Sequence, residues 1–79
     1  MKNYETMIGD LGNLLREHER VLRKTGDSTF SADDVLKTLR SAGATSLDIL
    51  YKLSFDELKE FGVPPLIARH AVREILTIA

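Results

Sequence analysis

Residues 54–65 of this 79-residue chain read SFDELKEFGVPP, and they combine a helix start, a helix stop and the start of a further helix. Ser54 and Glu57 have the spacing of a capping box, in which each side chain bonds the backbone N–H of the other residue. Gly62 suits the left-handed conformation that ends many helices. Pro65 suits the first turn of a new helix because it has no N–H to leave unsatisfied. The stretch therefore predicts a short helix, a tight turn and a final helix.

The final helix continues toward the C-terminus with a broad apolar stripe and a charged outer face. Arg69, Arg73 and Glu74 lie outside the stripe. The apolar residues that we expect to be buried are Leu66, Ile67, Ala68, Ala71, Val72, Ile75, Leu76 and Ile78.

Two more short helices precede this stretch. Ser31 can cap the N–H of Asp34 at the start of a helix, and Gly43 can end it. Thr45 or Ser46 can cap a third helix of about two turns. The apolar faces of these two helices are Val35, Leu36, Leu39 and Ala42, and then Leu47, Ile49, Leu50 and Leu53.

The first helix is predicted over residues 4–24, where apolar residues recur at spacings of three, four and seven. Gly9 and Gly12 lie off this stripe, and each weakens a helix by up to about 1 kcal/mol relative to Ala. A break near Gly12 would give six helices instead of five. The stripe consists of Tyr4, Met7, Ile8, Leu11, Leu14, Leu15, His18, Val21 and Leu22. No segment alternates like a strand, so the sequence predicts a compact all-α bundle of five or six helices.

The composition excludes several classes of protein. The chain is 43% hydrophobic and 29% charged, and its formal net charge of −1 lacks the excess of cations that binds phosphate backbones. The absence of Cys excludes disulfides and thiolate metal sites. No apolar run approaches the ~20 residues of a membrane span or forms a signal core. We expect one cytoplasmic domain over residues 1–79, excised from a larger protein and not inserted in a membrane.

The side chains that could carry catalysis or bind a metal have structural explanations. Ser31, Ser46 and Ser54 each stand where a helix needs a cap. His18 and His70 belong to separate predicted helices, so they do not indicate a metal pair. We therefore expect no enzymatic activity, no metal and no cofactor.

The second half of the chain resembles the sterile alpha motif (SAM) domain over about residues 35–78. The matching stretches are LRSAGATSL at 39–47, LSFDELKEFGV at 53–63 and ARHAVREIL at 68–76. The chain differs from the family at residues 64–67, where Pro-Pro-Leu-Ile replaces a Gly-His or Gly-Arg step, and in a longer first helix without the usual Trp. The resemblance implies a five-helix protein-interaction module that assembles head to tail.

Two other helical families are weaker resemblances. Helix-hairpin-helix domains have a similar stretch at residues 58–63, which would make the chain a nucleic-acid binder that uses its basic first helix and the Gly62 hairpin. Pro64, however, removes an N–H that such hairpins offer to phosphate, so a nucleic-acid partner is unlikely. Death-fold domains such as caspase-recruitment modules are also small helical bundles that assemble homotypically.

The SAM resemblance implies two interaction surfaces of opposite charge. Assembly would join the acidic middle helices of one copy to the start of the last helix of the next, forming chains that do not close. The alternatives are that these charges are merely solvated, or that the domain is an adaptor for an unrelated protein. We expect a non-catalytic module that mediates homotypic or heterotypic assembly of a larger signalling or defence protein. The candidate interface residues are Asp48, Asp56, Glu57, Glu60, Pro64, Leu66, Arg69, His70 and Arg73.

Overall fold

Five α-helices make up the fold, in a computed structural model that describes residues 3–26 and 29–77. The helices are α1 (Tyr4–Lys24), α2 (Ala32–Ser41), α3 (Leu47–Lys52), α4 (Phe55–Glu60) and α5 (Pro65–His70), and α5 continues into a π-helical turn over Ala71–Ile75. The described residues contain no strand. The prediction of an all-α bundle is confirmed.

Helix α1 supplies a long buried surface that α2 and the π turn contact. Met7, Leu11 and Leu15 are fully buried, one helical turn apart. α1 spans 21 residues, or about 31 Å at 1.5 Å per residue. It extends beyond the core at its C-terminal end, where Val21 is 52% exposed. Val21 therefore belongs to the predicted apolar stripe but lies outside the core, because the stripe is longer than the surface that covers it.

Gly12 lies inside the contact between α1 and α2, although the sequence pattern placed it outside the apolar stripe. It is buried, and a methyl group at this position would lie 3.3 Å from Cδ1 of Leu36. The missing side chain lets the two helices approach closely. α1 runs unbroken through this glycine, so the six-helix alternative is wrong.

Polar contacts hold both ends of α1 to the rest of the chain. Near its C-terminal end, Oε1 of Glu19 accepts the backbone N–H of Ala32 at 2.8 Å, which satisfies a free donor in the first turn of α2. The rings of His18 and Phe30 meet edge to face at 5.0 Å. At the N-terminal end, the Tyr4 hydroxyl donates to the carbonyl of Ala44 at 2.9 Å.

Two glycines end α2 and α4 in the same way. Gly43 and Gly62 have φ of 103° and 99°, a conformation that costs a residue with a Cβ about 1–2 kcal/mol. The residue after each glycine donates its N–H back into the helix at 3.0 Å, from Ala44 to the Leu39 carbonyl and from Val63 to the Leu58 carbonyl. These bonds form Schellman motifs. The predicted helix stops at Gly43 and Gly62 are confirmed.

The last element differs from the uniform α-helix that the sequence predicts. Residues 71–75 form a π turn, in which Leu76 donates its N–H to the Ala71 carbonyl five residues back at 2.7 Å. This wider turn brings Leu76 back over Ala71, so that Ile75 and Leu76 are both buried. Ile78, which was also predicted to be buried, lies outside the described residues.

Leu66 is the main exception to the buried stripe that the sequence predicts for this element. It is 78% exposed, so its predicted burial is wrong. Ala68, two residues later and therefore on the opposite side of α5, is fully buried instead.

Replacing Gly43 by Ala should destabilise the domain by about 1–2 kcal/mol, because Ala would be held at positive φ. Gly9→Ala is the matched control. An added Cβ meets nothing within 4 Å at either position, but Gly9 lies in α1 without a positive φ. The control should raise stability by up to about 1 kcal/mol. Urea unfolding followed by circular dichroism measures both changes; equal stability of the two variants would contradict the role given to Gly43.

Candidate interaction surface

The basic candidate residues lie together along one side of α5 and the π turn. We call Leu66, Arg69, His70 and Arg73 the α5 surface; together with Glu74 they line a shallow groove of about 240 Å³. All four residues of the α5 surface are exposed. They recur at spacings of three, four and seven, which places them on one helical face.

Pro64, the remaining candidate on this side, stands at the start of α5. It is half-buried and precedes the first residue of α5, with its carbonyl accepting the N–H of Ala68 at 2.8 Å. It does not line the groove of the α5 surface. Its observed role is to start the helix that presents Leu66.

The acidic candidates lie on the two middle helices. We call Asp48 of α3 with Asp56, Glu57 and Glu60 of α4 the acidic surface; all four are exposed. Leu58 is fully buried and anchors α4 to the core from the opposite side. The only cation of α4, Lys59, lies with its Nζ 4.9 Å from the centre of the Phe55 ring.

Glu57 is engaged within its own helix. Its Oε1 accepts the backbone N–H of Ser54 at 3.1 Å, and its own N–H donates to the Ser54 Oγ at 3.1 Å. The predicted capping box is therefore confirmed. Since reversing the charge of Glu57 would also remove this cap, Asp56 and Glu60 are the better probes of the acidic surface.

No ion pair joins the acidic surface to the α5 surface among the described residues. The ion pairs between described side chains are Arg20 with Glu17 and Arg23 with Glu19, both within α1. Two basic side chains of α1, Arg20 and Arg23, are thus paired with carboxylates of their own helix. The carboxylates of α4 and the guanidinium groups of Arg69 and Arg73 face solvent, where a partner can reach them.

The three serines act as caps, as the sequence predicts. Ser31, Ser46 and Ser54 each accept an N–H from the residue three positions later. In the described part of the chain, no three His, Asp or Glu side chains are grouped as metal ligands would be. None of the described helices has both the length and the apolar character needed to cross a bilayer.

The fold also creates a second groove that the sequence does not indicate. It lies between α1 and the π turn and has a volume of about 490 Å³. Its walls come from residues some 60 positions apart, so no local pattern could reveal it. Its lining residues are Asp10, Asn13, Leu14, Glu17, His70, Glu74 and Ile75.

Comparisons of this chain with models of protein families, with curated proteins and with solved structures found no match. The geometry and charge of the surfaces described above are therefore the basis for assigning a function.

The exposure of Leu66 can be tested through stability. Leu66→Ser should change the free energy of unfolding by less than about 0.5 kcal/mol, as is usual for surface substitutions. Leu58→Ala, which removes a fully buried side chain, should cost about 2–5 kcal/mol. Urea titrations at low protein concentration compare the two variants. A large loss of stability in Leu66→Ser would place this side chain in the core and contradict the α5 surface.

Proposed function

We propose that the domain is a non-catalytic protein–protein interaction module that self-associates head to tail. In this arrangement the α5 surface of one copy contacts the acidic surface of the next. Such a contact joins two different patches and leaves one of each free, so it extends into chains. In a larger signalling or defence protein in the cytoplasm, it would bring the attached domains together.

The exposure of Leu66 carries this proposal. A leucine that is 78% exposed on a well-packed small domain offers apolar area that a partner can bury, as the central anchor of an interface does. Arg69 and Arg73 follow it about one and two turns later on the same helical face. Apolar contact at the centre with charge at the rim is the usual anatomy of a protein interface.

Charge complementarity supports the choice of the acidic surface as the counterpart. Arg69 and Arg73 form no ion pair with the α4 carboxylates of their own chain, and Asp56 and Glu60 are equally unpaired among the described residues. Opposite charges on separate faces steer two copies into a defined orientation. The short helices α3 and α4 are also the arrangement implied by the resemblance to SAM domains.

The geometry of the α4–α5 hairpin gives no support to the nucleic-acid alternative. Gly62 and Val63 donate their N–H groups to the carbonyls of Lys59 and Leu58, both at 3.0 Å. Pro64 and Pro65 have no N–H to donate. The backbone N–H groups of residues 62–65 are therefore used within the protein or missing.

Reversing a charge on either surface should weaken self-association by about tenfold or more, because it places like charges opposite each other. The variants are Glu60→Lys and Arg69→Glu, and light scattering across a concentration series at low salt measures the mass. Lys37→Glu is the control, since Lys37 is exposed on α2 outside both surfaces. Unchanged assembly in both test variants would refute the assignment of the surfaces.

An equal mixture of the Glu60→Lys and Arg69→Glu proteins provides the sharper test. Each variant keeps one native surface, and the two altered surfaces are again opposite in charge. The mixture should therefore recover mass that neither variant reaches alone. Failure of the mixture to assemble would show that these two positions do not face each other.

A further inference from the structure

We propose that the groove between α1 and the π turn, called here the α1 groove, binds a basic amphipathic helix of a partner protein. This site borders the α5 surface, with which it shares His70, and has no residue in common with the acidic surface. It would let one domain take part in an assembly and carry a second, different protein.

The floor of the α1 groove is apolar. Leu14 lies half-buried on α1, and Ile75 contributes from the π turn with only 6% of its surface exposed. The volume of about 490 Å³ can accept several apolar side chains. A groove between two helical elements is the kind of site that receives the apolar face of another helix.

The walls of the α1 groove are acidic. Asp10 and Glu17 line it from α1, and Glu74 lines it from the opposite side. Within residues 3–26 and 29–77, no Lys or Arg lines the groove, and the other polar residues there are Asn13 and His70. This concentration of carboxylates around an apolar floor favours a partner that has cations beside its apolar residues.

The positions of the carboxylates suit a helical partner. Asp10 and Glu17 are seven residues apart on one face of α1, about 10.5 Å along the helix axis, with Leu14 between them. Cations seven residues apart on a partner helix that runs along α1 would have the same spacing. Glu17 is bonded to Arg20 in a pair whose side chains are more than 60% exposed; such pairs contribute only about 0–1 kcal/mol, so a partner cation can compete for it.

The π turn shapes the opposite wall. Because the wider turn keeps both Ile75 and Leu76 on the buried side, Ile75 can close the floor while Glu74 beside it stays exposed at the rim. π turns occur frequently at functional sites.

The test uses a fluorescein-labelled synthetic helix in which Leu residues form one face and Lys residues seven apart flank it. Fluorescence anisotropy measures its affinity for the whole domain. Asp10→Asn with Glu17→Gln should weaken binding by about tenfold at low salt, because both wall carboxylates of α1 are lost. Asp56→Asn with Glu60→Gln removes the same charge from the acidic surface and should leave the affinity within about twofold.

Three outcomes would overturn the proposal. Equal weakening by the two double variants, or equal binding of a peptide with the same residues in scrambled order, would mean that only net charge is recognised. Loss of self-association in the Asp10→Asn and Glu17→Gln variant would mean that a second copy occupies the groove. The control variant, Asp56→Asn with Glu60→Gln, should itself lose self-association. Self-association therefore tests the proposed function, while peptide binding tests the α1 groove.

Discussion

The buried face of α1 is the constraint on which the rest of the structure depends. Helices of six residues, such as α3 and α4, are too short to be stable alone in water. They keep their shape because their apolar side chains, Leu50 and Leu58 among them, are buried in the core that α1 organises. The contact of the Tyr4 hydroxyl with Ala44 and that of Glu19 with Ala32 attach both ends of α1 to the α2 region. Because the core sets the orientation of each helix, it also sets which side chains each helix presents to solvent.

The charged side chains of that outer surface lie on defined helix faces because each short helix has one buried side. Leu58 and Ala68 are fully buried, so the opposite sides of α4 and α5 must face solvent. On α4 that side carries carboxylates, and on α5 it carries Leu66 with two arginines. The tight turn at Gly62 joins the two helices. Opposite charges are thus presented on neighbouring helices without an ion pair between them in the described part of the chain.

Local chemistry explains which parts of the fold could be predicted from the sequence. The capping box of Ser54 and the glycine stop at Gly43 depend on residues within one or two turns, so the sequence alone identified them. The exposure of Leu66, the tight packing at Gly12 and the π turn at residues 71–75 depend on which elements meet in space. The acidic and basic candidate residues were found because charge is read directly from the sequence. The α1 groove was missed because its two walls are far apart in the chain.

The central claim is that the α5 surface and the acidic surface bind each other between copies. The most direct measurement is a series of amide nitrogen–proton NMR spectra of the isotope-labelled domain at increasing concentration. We expect the amides of residues 66–73 and those of residues 48–60 to shift together, with one shared dissociation constant. Spectra that do not change with concentration, or changes confined to α2 and the C-terminal half of α1, would contradict it.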